Sequence, residues 1–329
     1  PGAGASLPPV PLEIPAPGPA AQVLLPRPIP TPALEYRGDG GFGTVEAGPR
    51  PLLILLFGSW CPNCQEELRR FAGHADRIRA AGLDVLALAV DGLDEAGLGS
   101  LPEAAELLRQ VGWPHMSGAA TPQLLGRMQH LSDALFELRT PFAVPWSFLL
   151  GPERDLIAIY RGPVPLETLV SDTSLVNAEA PDRRDRSVPF PGKWYTLHPG
   201  RAALLELLAD HFQSAFPGET VRYLEQALPL LGGVEAGPVR VRIGKLRLYL
   251  GGQALAAGKN AEAAEQYRAA LRLGPASART HHDLGIALYN QGRLQEAEAA
   301  FLKSLELAPG NPSATRNLEQ VRRAMRGGR

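Results

Sequence analysis

Hydrophobic and polar positions along this chain change period twice. Residues 52–57, Leu-Leu-Ile-Leu-Leu-Phe, run without polar interruption, as a central strand buried on both faces does. From Pro62 to about Ala80 the apolar positions Leu68, Phe71, Ala72, Ala75 and Ile78 recur at helical spacing. Arg69, Arg70, Arg77 and Arg79 fall largely between them, and Gly82 ends the helix. The pattern then predicts a strand over 83–90, a short helix over 102–111, an extended piece at 113–116 and a helix from Thr121-Pro122 to about Leu138. Strands follow over 144–150 and 156–161, joined by a turn at 151–155, and a closing helix over 165–175. Ahead of these, residues 34–36 and 42–45 flank a glycine-rich turn and read as a β-hairpin. The order hairpin, β, α, β, α, β, β, α predicts a central mixed sheet with helices on both faces.

Beyond Gly200 the pattern is purely helical and repeats. Gly251, Ala263, Tyr267 and Pro275 return as Gly285, Ala297, Phe301 and Pro309, each 34 positions later. Small residues at a helix crossing, an aromatic in the second helix and a terminal proline at that period are the tetratricopeptide signature. Gly and Ala let two antiparallel helices approach, and the aromatic fills the groove between them. Two units are placed at about 240–275 and 278–309, with a polar capping helix over 312–326. An earlier pair over 200–231 keeps none of the Gly or Pro landmarks and reads as a degenerate repeat. It supplies the third unit that a stacked solenoid needs.

Two stretches carry neither pattern. Residues 1–32 contain eleven prolines, which lack donors and fix φ, so a spacer without its own core is expected there, with order beginning near Ala33. Val23-Leu24-Leu25 could dock on a neighbouring surface. Residues 177–199 read as an irregular linker with a mixed charge run at 182–186, pinned to a domain by Phe190, Trp194 and Tyr195. Domains are therefore expected at 33–176 and 200–326.

Charge changes the picture only by exclusion. The 33 basic and 34 acidic residues give a net charge of −1, with no concentrated basic face for nucleic acid. No apolar run approaches the roughly 20 residues of a membrane-spanning helix. The chain begins at Pro1 without a targeting segment, so the expectation is that one has been removed or that the chain is a piece of something longer.

Candidate chemistry rests on the only two cysteines, in Gly58-Ser59-Trp60-Cys61-Pro62-Asn63-Cys64. Three positions apart at a helix start, they can close a small disulfide or open to a dithiol. A free thiol has a pKa of about 8.5, and unpaired N–H groups at a helix N-terminus favour its thiolate. Pro62 fits the first turn, where a missing donor costs little. Cys61 then meets substrate, Cys64 resolves the mixed disulfide, and Trp60 shields the pair. A zinc site needs four ligands; two cysteines supply half, and the seven histidines show no spacing that completes it. Neither metal nor cofactor is expected.

Gly-Ser-Trp-Cys-Pro-Asn-Cys-Gln-Glu-Glu-Leu after a buried strand resembles the active-site segment of thioredoxin-fold proteins. In particular it resembles extracytoplasmic thiol–disulfide oxidoreductases of the TlpA/ResA/DsbE type in the redoxin superfamily. That resemblance implies an α/β thioredoxin fold followed by an all-α tetratricopeptide solenoid, in a periplasmic or secreted setting. It also implies a cis-proline loop facing the cysteines. Ala143-Val144-Pro145 matches it, with Pro145 as the cis-proline and Val144 offering its backbone to substrate. Trp146 departs from the small hydroxyl residues usual after that proline and is expected to narrow the substrate groove. Strand 52–57 carries no acid to match the buried carboxylate of some thioredoxins. Glu67 could assist proton transfer, although a solvent-exposed helix position is the simpler expectation. The function implied is exchange with protein thiols and disulfides, with the repeats presenting a concave face to a protein partner. The alternatives are a non-catalytic interaction scaffold and a peroxiredoxin-like peroxidase. Against the latter, Gly58 stands where peroxidatic sites usually carry threonine.

Overall fold

The computed structural model describes residues 21–38, 40–93, 97–136, 143–187, 200–274 and 277–327. The described residues of 1–129 and 138–194 form one compact unit, and those of 130–137 and 195–329 form another.

The first unit is built on one eight-stranded sheet. Its elements in chain order are β1 (Ala21–Pro30), β2 (Glu35–Gly38), β3 (Gly41–Thr44), β4 (Leu52–Phe57), α1 (Pro62–Gly73), α2 (Ala75–Ala80) and β5 (Asp84–Ala89). Next come α3 (Leu101–Gln110), β6 (Met116–Ala119), α4 (Pro122–Phe136, whose residues from 130 onward group with the other unit), β7 (Trp146–Leu150), β8 (Asp155–Arg161), α5 (Leu166–Thr173) and α6 (Ala180–Ser187). Strand order is β1-β8-β7-β4-β5-β6-β2-β3. The central β4 runs parallel to β5, with Phe57 opposite Ala89, and antiparallel to β7, with Leu56 opposite Trp146. All six residues of β4 are buried, as an uninterrupted apolar strand requires. A βαβ unit (β4, α1, β5) beside a β-hairpin and closing helix (β7, β8, α5), all on one sheet, is the thioredoxin fold.

Two stretches expected to be linkers contain structure. Within residues 1–32, residues 21–30 form β1, antiparallel to β8 at the sheet edge, with Leu25 and Ile29 buried. Prolines are tolerated there because an edge strand bonds on one side only, and the register shifts between Leu24 and Ile29. Residues 1–20 lie outside the described residues. The mixed charge run within 177–199 is helical, as α6, and packs against β1. Phe190, Trp194 and Tyr195 lie outside the described residues. The helix predicted over 62–80 is interrupted at His74 (φ −122°), which ends α1 and begins α2 directly after Gly73, a residue of low helix propensity.

The second unit contains α7 (Arg201–Phe212), α8 (Pro217–Ala227), α9 (Gly233–Ala256), α10 (Asn260–Leu273), α11 (Ala278–Asn290), α12 (Leu294–Leu307) and α13 (Pro312–Gly327). The two repeat units are α9 with α10 and α11 with α12. A Cβ on Gly251 would stand 2.8 Å from the Tyr267 ring, and one on Gly285 2.7 Å from the Phe301 ring. The period-34 glycines are thus required by close helix approach. Helix α9 begins seven residues before the predicted start. Gly237 and Pro238 are poor helix formers, but burial of Ala236, Val239 and Ile243 along one face carries the helix through.

Candidate active site

The end of β4 delivers the chain into Gly58-Ser59-Trp60, and Cys61 caps α1 in an extended conformation (φ −91°, ψ 112°). The Cys64 N–H donates to Cys61 Sγ at 3.2 Å, and Gln65 N–H to the Cys61 carbonyl at 3.1 Å. Cys61 and Cys64 are joined as a disulfide with Cα atoms 5.2 Å apart. Cys61 is 5% exposed and Cys64 is fully buried, while the Trp60 ring beside them is 40% exposed. A nucleophile arriving from solvent therefore meets Cys61 first.

Residues outside the motif hold this turn. Asp91, two residues beyond the end of β5, accepts hydrogen bonds from the Ser59 N–H at 3.1 and 3.2 Å and from the Ser59 hydroxyl. Gln65 Nε2 donates to the Ser59 carbonyl at 2.7 Å. Gly99 completes the clamp. Its φ of +71° suits glycine, and a Cβ there would collide with Asp91 Oδ1 at 2.3 Å and with the Trp60 ring at 2.7 Å. In the sequence Asp91 reads only as the end of a strand. The signal that finds it is the parallel register, because Phe57 opposite Ala89 brings the residues after both strand ends together.

The Val144–Pro145 peptide bond is cis. Cys61 Sγ lies 3.6 Å from the Val144 carbonyl oxygen, and the Pro145 carbonyl accepts from the Gly162 N–H at 2.9 Å. Cys61, Val144 and Pro145 thus stand together, while the Trp60 ring lies by Gly58 and Gly99. Trp146 does not join them. Its ring is fully buried, 4.9 Å from the Phe148 ring and with Arg161 over it at 5.1 Å. Alternation along β7 is the cause: Leu149 packs in the cluster containing both cysteines, so Trp146 and Phe148 project from the opposite face. It cannot narrow a groove at Cys61.

Glu67 also departs from its exposed expectation. It sits one turn after Cys64 on the buried face of α1, with no exposure. Its Oε1 accepts from the Val164 N–H at 2.7 Å, and Arg70 stands 3.8 Å away. Oε2 is buried with no hydrogen-bond partner. Burial raises the carboxyl pKa to about 7, against the opposing pull of the Val164 hydrogen bond and the Arg70 charge. A buried acid thus does stand behind the cysteines, on the helix and not on β4.

An open cleft of about 740 Å³ starts at Ser59 and Trp60 and extends beside Gln65, Arg69, Glu103 and Arg109. Among the described residues no helix is long and apolar enough to cross a membrane.

Comparison with known proteins gives the following. Residues 250–312 match the tetratricopeptide repeat family. No curated protein matches the chain in sequence. Among solved structures, a thiol:disulfide interchange protein of the thioredoxin family from Chlorobium tepidum is 17% identical, covering 46% of this chain and 97% of its own, with a TM-score of 0.37. A thio-disulfide isomerase from Thermus thermophilus is 18% identical (46% and 97%, TM-score 0.33). StoA from Bacillus subtilis is 15% identical (44% and 99%, TM-score 0.32). It is the strand order and registers described above that identify the fold: a thioredoxin-like unit followed by helices that carry tetratricopeptide repeats.

Proposed function

We propose that this protein is a thiol–disulfide oxidoreductase acting on protein thiols and disulfides through Cys61 and Cys64. The observation that carries the reading is the Cys61–Cys64 disulfide at the N-cap of α1, with Cys61 Sγ 3.6 Å from the carbonyl that precedes a cis-proline. In the reducing direction the Cys61 thiolate attacks a substrate disulfide, forming a mixed disulfide and releasing one substrate thiolate. Cys64 then attacks the Cys61 sulfur, re-forming the internal disulfide and releasing the second substrate thiolate. Two electrons pass from the pair to the substrate, and the reverse sequence oxidises a dithiol. Glu67 takes the proton that Cys64 must lose before it attacks, a role suited to a carboxyl that titrates at about 7 with one oxygen unpartnered. Val144 and Pro145 offer backbone to the substrate, and Trp60 covers its side chains.

The repeats, supported by the match over residues 250–312, recruit a protein partner. An extracytoplasmic setting goes with this chemistry, because protein disulfides persist in oxidising compartments.

The test is substrate trapping. Cys64→Ser should accumulate mixed disulfides on Cys61, and the wild-type chain should reduce insulin with a dithiol reductant. No trapped species together with no insulin reduction would sink the proposal. Consumption of peroxide at the expense of a reductant would replace it with a peroxidase.

A further inference from the structure

A ring of contacts leads from the cysteines through the cis-proline and back to the helix the cysteines begin. Cys61 Sγ touches the Val144 carbonyl, and the Pro145 carbonyl accepts from Gly162 N–H. Two residues on, Val164 is fully buried and both its backbone polar groups are taken by α1. Its N–H donates to Glu67 Oε1 at 2.7 Å, and its carbonyl accepts from Arg70 Nη2 at 3.0 Å. Glu67 and Arg70 are themselves an ion pair at 3.8 Å, the first buried and the second about one-third exposed. Segment 162–165, which joins β8 to α5, thus strings the cis-proline to a charged pair on the active-site helix.

We infer that Arg70 is a positioning residue of the exchange site: by gripping the Val164 carbonyl beside Glu67 it fixes the 162–165 segment, and through Gly162 it holds Pro145 at the distance from Cys61 that a substrate backbone needs. This rests on the exchange reading above. Arg70 Nη2 makes both contacts, donating to the Val164 carbonyl at 3.0 Å and standing 3.8 Å from Glu67 Oε1. A guanidinium is more weakly hydrated than the compact lysine ammonium and so is more readily held at this largely buried carbonyl. Among the described residues, the charged group that acts on Glu67 is Arg70 on its own helix. From the 162–165 segment Glu67 meets the uncharged Val164 amide. The other ionisable side chain in this core, Tyr160, is bonded to Asp172 at 2.8 Å. Losing the Arg70 charge removes the cation that, among the described residues, favours ionised Glu67, so the Glu67 titration must move upward.

The intact chain, as wild type, Arg70→Met and Arg70→Lys, tests this with two readouts. One is the titration of the Glu67 carboxyl by ¹³C NMR, assigned with Glu67→Gln, which needs no activity. The other is KM and kcat for insulin reduction across neutral pH. Arg70→Met should raise the Glu67 midpoint by roughly one pH unit and raise KM several-fold, with kcat reaching its wild-type value only at the higher pH where Glu67 is again ionised. Arg70→Lys, which keeps the charge and carries the test if the methionine variant does not fold, should hold the midpoint but still raise KM. A wild-type KM in either variant, or an unmoved midpoint in Arg70→Met, overturns the proposal. A wild-type chain that reduces no insulin counts against the exchange reading alone, and the titration then decides the role of Arg70 by itself.

Discussion

The two units of this chain solve the same problem, holding a buried core, in opposite ways. In the helical unit each lock is local and repeated: Gly251 under Tyr267 and Gly285 under Phe301, sixteen residues apart in each case. In the sheet unit the decisive contacts are singular and distant in sequence. Ser59 and Asp91 are 32 positions apart, Cys61 and Val144 83, and Glu67 and Val164 97. Apolar packing carries the repeats of the helical unit. The sheet unit buries Glu67 and Asp91 near its disulfide, each held by named donors. Repetition spreads stability evenly over a solenoid, whereas a singular site concentrates it on a few residues with no substitute.

That contrast can be broken from either side. The largest effect is expected in the helical unit. Phe301→Ala empties the groove against Gly285 and should destabilise that unit by about 3–5 kcal/mol, read from its urea or thermal transition, while insulin reduction by the sheet unit stays at the wild-type rate. If activity falls in step with helical stability, the units are not energetically separate.

Glu67→Gln should act next, on stability through its pH dependence. The folded carboxyl titrates at about 7 against an ordinary value of about 4.5, so the folded state holds more protons than the unfolded one between those limits. Stability should therefore fall as pH rises from about 4.5 to 7, by on the order of 3 kcal/mol in total. Glutamine, which cannot ionise, should abolish that slope. Denaturation of the oxidised protein at pH 5 and pH 8 checks it; parallel behaviour of variant and wild type would contradict a buried, late-titrating acid.

The smallest effect is set for Asp91→Asn. The amide keeps the shape but weakens the charged hydrogen bonds to Ser59, at a cost of about 1–2 kcal/mol. A several-fold loss of exchange rate at unchanged KM would fit a loosened Cys61 turn. No change in either would show the clamp to be dispensable.

The same contrast explains what was legible beforehand. The apolar run of β4, the helical spacing after Pro62 and the period of 34 are local patterns, and each has its counterpart in the fold, the second broken at His74 and the third with α9 starting early. The cysteine pair was legible because its spacing is written in four consecutive residues, Cys61 to Cys64. The burial of Glu67 was not, since a glutamate after Cys64 reads as solvated until segment 162–165 is folded over it. Trp146 failed for a related reason. Which face of β7 it occupies depends on register with β4, and the sequence motif is silent about register. β1 was hidden by its prolines, which count against a strand except at an edge.

Those prolines have one more consequence, for how molecules of this protein meet each other. Pro26, Pro28 and Pro30 leave three of the last five residues of β1 without an N–H, in the outermost strand of the sheet. An incoming strand from a second copy would find few donors to pair with. At the opposite border β3 is only four residues long, too short to seed a stable ladder. Sheet growth by copy-to-copy strand addition, the usual first step toward fibres, is blocked at one border by chemistry and at the other by length.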